Sequence, residues 1–225
     1  MAGASVKLAV FDCDGTLVDG QHDIVAAMAE AFSGMGLAPP PRDATTRIVG
    51  LSLPQAMRRL APDLDADMQA ALVEAYKYAY RQARVEGRIG EPLFDGIREV
   101  LDALRGAGWD LAVATGKSDR GLTHCLASHG LSGHFVSLQT ADRHPSKPHP
   151  AMLEAALDEA MALAPDSVMI GDTSFDMAMA VHAGVRAIGV AWGYHSAQEL
   201  LGAGAEIVAE TPRHLADILL RETQA

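Results

Sequence analysis

The chain is predicted to fold as an α/β protein, a doubly wound parallel sheet interrupted by an inserted α-helical cap. Three observations carry that prediction. Short apolar runs, residues 7–11 first among them, read as strands buried on both faces. From Pro92 onward such runs alternate with helical segments, the rhythm of parallel strands joined by crossover helices. Between residues 17 and 87 the strand signal disappears and only helical spacing remains.

Taken in order, the first strand covers residues 7–11 and ends in Asp12-Cys13-Asp14-Gly15-Thr16, where Gly15 frees the backbone to turn. Helices are then expected over residues 21–35, 42–48, 53–61 and 65–86. The breaks fall at Gly34-Met35-Gly36, Pro39-Pro40-Pro41, Gly50 and Pro62. Met28, Phe32 and Met35 share one face, and Tyr76 and Tyr80 lie one turn apart as a packing row. The alternating part follows: helix 96–107, strand 109–115, helix 118–129, strand 134–138, and a helix opened by Pro150 that runs to about residue 163. Strand 167–171, helix 174–183 stopped by Gly184, strand 185–191, strand 206–208 and a helix from Pro212 complete the chain. Residues 1–16 and 88–225 thus form the α/β core, and residues 17–87 form the cap. Hinges are expected near Val18–Gly20 and Gly87–Pro92, where small residues cluster.

Composition narrows the function. A net charge of −11 over 225 residues argues against a nucleic-acid or anionic-membrane surface. No apolar stretch is long enough to span a bilayer, and no basic segment followed by an apolar run marks an N-terminal leader. Cys13 and Cys125 have no metal-ligand spacing, and Cys13 reads as a small core residue. A cytoplasmic monomer or homodimer is expected. Lysine occurs at four positions only, Lys7, Lys77, Lys117 and Lys147, so a lysine inside a motif is informative.

In a doubly wound sheet, ligands bind beyond the carboxyl ends of the strands. Asp12 ends the first strand, Thr115-Gly116 the second, and Gly171-Asp172 the fourth, with Asp176 one turn into the next helix. Ser146-Lys147-Pro148 lies in the loop after the third. Two carboxylates as close as Asp12 and Asp14 repel unless a cation sits among them, and oxygen donors suit Mg²⁺. The set fits phosphoryl transfer to a carboxylate. Asp12 is the expected nucleophile and Asp14 the acid and then base. Asp172 completes the metal site with Asp12 and the backbone carbonyl of Asp14, and Asp176 orients it from behind. The Thr115 hydroxyl and the Gly116 amide bind phosphoryl oxygens, and Lys147 bridges nucleophile and phosphoryl group. Lys117 reads as a charge at a helix start. Arg47, beside the Val49-Gly50 loop of the cap, is the expected reader of the leaving group, its planar fork suited to a carboxylate. A solvated helix arginine is nearly as good a reading.

Asp12-Cys13-Asp14-Gly15-Thr16, Thr115-Gly116, Lys147-Pro148 and Gly171-Asp172 with Asp176 occur in the order found in haloacid dehalogenase-like phosphohydrolases, which the chain resembles over its whole core. The insertion resembles that family's small helical cap. Within the family the chain is most similar to phosphoglycolate phosphatases, through Val49-Gly50-Leu51-Ser52-Leu53, the run 171–180 and Trp192-Gly193-Tyr194-His195. The resemblance implies Mg²⁺, an aspartyl-phosphate route and a small phosphorylated metabolite, with 2-phosphoglycolate first. A pyrophosphatase, or a sugar-phosphate phosphatase or phosphomutase of the same fold, is the alternative.

Overall fold

The computed structural model describes residues 6–221. The outermost residues of the expected core, 1–5 and 222–225, lie outside that range. Six strands form one sheet: β1 (Lys7–Phe11), β2 (Trp109–Thr115), β3 (Ser137–Thr140), β4 (Ser167–Gly171), β5 (Arg186–Val190) and β6 (Ile207–Ala209). Their order is β3-β2-β1-β4-β5-β6, and every pairing is parallel. The chain winds outward from β1 to β3, returns to β4, and winds outward the other way. The order therefore reverses between β1 and β4, where Phe11 pairs with Ile170. A crevice at such a reversal is the usual ligand site of this architecture.

Alternation along β1 sorts the core into two layers. Ala9 and Phe11 face one side, with Leu111, Val113 and Ile170 of neighbouring strands. There they meet α5 (Ile97–Gly106), α6 (Asp119–Ser128) and α10 (Pro212–Arg221) through Leu101, Leu122 and Leu215. Leu8 and Val10 face the other side, against α7 (Ala151–Ala160), α8 (Ser174–Ala183) and α9 (Ala197–Gly202) through Leu153, Met177 and Leu200. Burial on both faces is why the central strands carry no polar alternation.

Between β1 and α5 lie α1 (Gln21–Gly34), α2 (Arg42–Thr46), α3 (Leu53–Leu60) and α4 (Ala66–Val85). They enclose a third cluster, with Met28, Phe32, Met57 and Leu72 at its centre. Phe175 of α8 reaches into it, and the Arg59 guanidinium lies 5.0 Å from the Phe175 ring centre. The two linkers to this helical unit run side by side. Val18 bridges Leu93 in antiparallel fashion, Asp19 N donates to Pro92 O at 2.8 Å, and Phe94 N donates to Leu17 O at 3.1 Å.

Three elements depart from the sequence expectation. β3 begins at Ser137 rather than residue 134, because His134 N is turned back onto Leu131 O. α7 stops at Ala160, where Met161 takes a left-handed φ of 53°. α9 was not expected. Its N-terminus is a capping box in which Ser196 Oγ accepts from Glu199 N and the Glu199 carboxylate accepts from Ser196 N.

Candidate active site

Asp12 stands where β1 ends. Its amide still donates to Ile170 O at 2.9 Å, so the ladder with β4 fixes its position. One carboxylate oxygen, Oδ1, accepts from Cys13 N at 2.6 Å and pairs with Lys147 Nζ at 3.0 Å. The other, Oδ2, is buried with no hydrogen-bond partner. Burial pushes the Asp12 carboxyl up to about 7, against the pull of Lys147.

The chain then turns tightly. Leu17 N and Val18 N both donate to Cys13 O, at 2.8 and 3.0 Å. Gly15 has φ +83°, and a Cβ there would lie 2.2 Å from Asp172 Oδ2, so glycine is required twice over. Asp172, fully buried after β4, accepts from Thr16 Oγ1 at 2.7 Å and from Tyr194 N at 2.9 Å. The loop after β5 braces it: a Cβ on Gly193 would sit 2.2 Å from Asp172 Cβ, and Trp192 Nε1 donates to Thr16 O at 3.1 Å. Burial, with Asp12 and Asp176 nearby, holds the Asp172 carboxyl well above its usual range.

Asp176 forms the capping box of α8, its Oδ2 accepting from Thr173 N at 3.0 Å and Thr173 Oγ1 at 2.7 Å. Its Oδ1 pairs with Lys147 Nζ at 2.6 Å. Lys147 is fully buried. Desolvation works against its charge, but Asp12 and Asp176 overcome that and hold its pKa above the usual lysine range.

Asp12, Asp172 and Asp176 each bring a carboxylate oxygen within 4.8 Å of the others. Lys147 pairs with two of these three buried carboxylates, Asp12 and Asp176, and Asp12 Oδ2 has nothing to accept from. That donor set suits a hard divalent cation. Asp12 differs from the other two, since protein donors already meet both oxygens of Asp172 and of Asp176.

Thr115 is buried at the end of β2, and the cap sits directly on Gly116: a Cβ there would lie 2.6 Å from Leu51 O. Nearby, Ser52 N donates to Ser146 Oγ at 2.8 Å. His195 Nδ1 accepts from Ser174 N at 3.0 Å, which leaves Nε2–H to donate to Arg47 O at 3.4 Å. Between cap and core lies a chamber of about 830 Å³. Asp14 and Lys117 form its floor, and Ile24, Met28, Tyr76 and Tyr80 form part of its walls.

Two expected roles are displaced by tertiary partners. Arg47, at the C-terminal end of α2, does not line the chamber. Its guanidinium pairs with Glu199 of α9, and its side chain is 61% exposed. Lys117 is not a surface charge. It is 9% exposed, 3.0 Å from Asp14 Oδ1, and also paired with Glu91. Glu91 itself was not singled out by the sequence. Burial keeps the Asp14 carboxyl above its usual range, with Lys117 opposing the shift.

A family model described as haloacid dehalogenase-like hydrolase matches residues 9–190. The chain is 36% identical over 207 residues to a Dickeya dadantii protein named Probable phosphatase IndB, covering 91% of this chain and 89% of that one. It is 27% identical over 229 residues to the phosphoglycolate phosphatase of Vibrio parahaemolyticus, covering 97% and 98%. The solved structure of a hydrolase from Pseudomonas syringae superposes with a TM-score of 0.84 at 26% identity, covering 95% of this chain and 97% of that one. This chain belongs to the haloacid dehalogenase-like hydrolases.

Proposed function

We propose that the chain hydrolyses a phosphate monoester of a small metabolite through an aspartyl-phosphate on Asp12. The observation that carries this reading is the Asp12 carboxylate at the reversal of the sheet. One oxygen is held by Lys147 and Cys13 N, the other is without a partner, and Asp14 stands on the chamber floor beside it.

In the first step an Asp12 oxygen bonds to phosphorus and the bond from phosphorus to the leaving oxygen breaks, while Asp14 gives its proton to that oxygen. In the second, water attacks phosphorus, Asp14 takes the water proton, and the bond to Asp12 breaks, releasing phosphate. The raised Asp14 carboxyl suits both roles, because a group that holds its proton can give it and then take one back. Lys147 keeps Asp12 ionised for attack and offsets the charge gathered around it. Mg²⁺ bound by Asp12, Asp172 and the Asp14 backbone carbonyl, with Asp176 behind them, would neutralise charge on the phosphoryl oxygens.

The preferred substrate on the strength of the Vibrio relative is 2-phosphoglycolate. A second reading is favoured by the chamber. At about 830 Å³ it is of the size that holds drug-sized ligands, far more than glycolate needs. Lys117 and Arg84, two of its cations, are already answered by Asp14 and Glu91. A chamber of that size suits a bulkier leaving group such as a sugar.

The test is phosphate release from 2-phosphoglycolate, pyrophosphate and hexose phosphates with Mg²⁺, for the wild type and Asp12→Asn. Release lost in Asp12→Asn supports the covalent route, and near-normal activity in that variant refutes it. The ranking of kcat/KM decides between the two substrates. An isomerised sugar phosphate without free phosphate would make the chain a mutase.

A further inference from the structure

We propose that Glu91 and Lys117 are positioning residues for Asp14, and that through them α4 of the cap determines where the Asp14 carboxylate points. The proposal rests on the phosphatase reading above and assigns roles to two residues outside the motifs that define the site.

Glu91 lies on the linker that returns from the cap to the core. It is buried, and it is one of two non-glycine residues with positive φ among the described residues, at +24°. Side chains rarely adopt that backbone region unless their surroundings impose it. The surroundings do so here. Gly90 N and Glu91 N donate to Asp23 Oδ2 at 2.9 and 3.3 Å, and His129 Nε2 lies 2.8 Å from Glu91 O. The carboxylate is thereby aimed inward, where it gathers three donors. Tyr80 OH donates to Oε1 at 2.8 Å, Arg84 Nη2 to Oε2 at 2.9 Å, and Lys117 Nζ to Oε1.

Lys117 then passes the arrangement on. Its Nζ lies 3.0 Å from Asp14 Oδ1. The backbone of Gly20 also comes so close to that oxygen that a Cβ there would lie 2.9 Å from it. An aspartate side chain has two torsions, and the Lys117 ion pair, the contact this oxygen makes in place of a hydrogen bond, together with the close backbone restricts this one. Tyr80 and Arg84 are one turn apart on α4, so both holds on Glu91 move with that helix. If α4 withdraws, Glu91 keeps Lys117 but loses both of its cap partners, and the ammonium is drawn away from Asp14. The acid is thus fully oriented only when the helix that walls the chamber is in place.

The experiment uses the whole chain with Mg²⁺ and two kinds of substrate. 4-Nitrophenyl phosphate has a leaving group that departs without a proton, whereas an alkyl phosphate needs one. Lys117→Met should release about one equivalent of nitrophenolate per chain in a rapid burst and then turn over slowly, because only the second step still needs Asp14. With the alkyl phosphate there should be no burst, and kcat should fall roughly 100-fold, the usual scale of general acid catalysis, with KM little changed. Lys117→Arg should recover part of the rate. Glu91→Gln, nearly isosteric, should show the same pattern in weaker form, and it decides the matter if Lys117→Met does not fold. Equal losses on both substrates without a burst, or no loss, would overturn the positioning role. A wild type that releases no phosphate from either substrate would overturn the phosphatase reading itself, and that outcome shows before any variant is made.

Discussion

Replacing Lys147 by methionine removes the charge at the centre of the site while keeping most of its volume. The side chain is fully buried, with Nζ 3.0 Å from Asp12 and 2.6 Å from Asp176. Removing one partner of a buried ion pair leaves uncompensated charge behind, which costs about 3–5 kcal/mol. In a chain of this size each kcal/mol moves Tm by about 2–4 °C, so the melting point should fall by roughly 6–20 °C. The deficit should depend on pH, and its sign follows from Asp12. The folded protein holds that carboxyl at about 7, above its ordinary 3.8. A group raised on folding contributes stability that is fullest below its unfolded pKa and is lost as pH rises through the folded one. Lys147 pulls the Asp12 carboxyl down, so its loss sends that carboxyl higher still. The variant's deficit should therefore be larger at about pH 8 than at about pH 5, where the site can take up a proton instead. Urea denaturation of wild type and variant at both pH values measures this. A deficit below about 1 kcal/mol, equal at the two pH values, would refute the idea that Lys147 is the counter-charge of the carboxylate cluster.

Two further outcomes follow from the same geometry. Chelator should abolish turnover and Mg²⁺ restore it, with Ca²⁺ a poor substitute because its shell is larger and looser. Independently of turnover, Mg²⁺ should raise the wild-type melting temperature and leave Asp172→Asn unmoved, and equal shifts in both would place the cation elsewhere. Arg47→Ala breaks an exposed pair with Glu199, so it should leave the melting temperature nearly unchanged and leave kcat/KM for 2-phosphoglycolate unchanged. A selective rise in KM for that substrate would put Arg47 back among the residues that read the leaving group.

The sheet was legible because its central strands are buried on both faces. Leu8 and Val10 serve one layer, Ala9 and Phe11 the other, so the sequence shows an unbroken apolar run wherever a central strand lies. At the rim that signal weakens. β3 carries the buried polar residues Ser137, Gln139 and Thr140, and its start was misplaced accordingly. The motif residues were legible for a related reason. A parallel strand delivers the residue after its carboxyl end to one known edge, so finding β1 and β4 amounts to finding Asp12 and Asp172.

Lys117 and Arg47 could not be read in that way, because what each side chain does depends on a partner remote in sequence. Lys117 follows Gly116 and precedes the α6 cap Ser118, which locally looks like a helix start. Its burial depends on Glu91, held at positive φ in a glycine-rich linker that has no periodicity to analyse. The usable signal was scarcity: the chain has four lysines in 225 residues, and one stands directly after Thr115-Gly116, the pair expected to bind phosphoryl oxygens. The partner of Arg47 was not foreseen because α9 was missed. Six residues are too short to show helical spacing, but Ser196 and Glu199 stand three apart just before Leu200, the pattern of a capping box. Glu199 is both the cap of that helix and the partner of Arg47. Recognising the box would have placed a carboxylate on the core surface facing the cap and given Arg47 an anion before any substrate was invoked. The role of reading the leaving group then passes to the groups that do line the chamber. There Tyr76 and Tyr80 stack at 5.7 Å in its wall above the paired charges of its floor. On the sugar-phosphate reading that wall would face a bulkier leaving group than glycolate, so the substrate panel includes sugar phosphates alongside 2-phosphoglycolate.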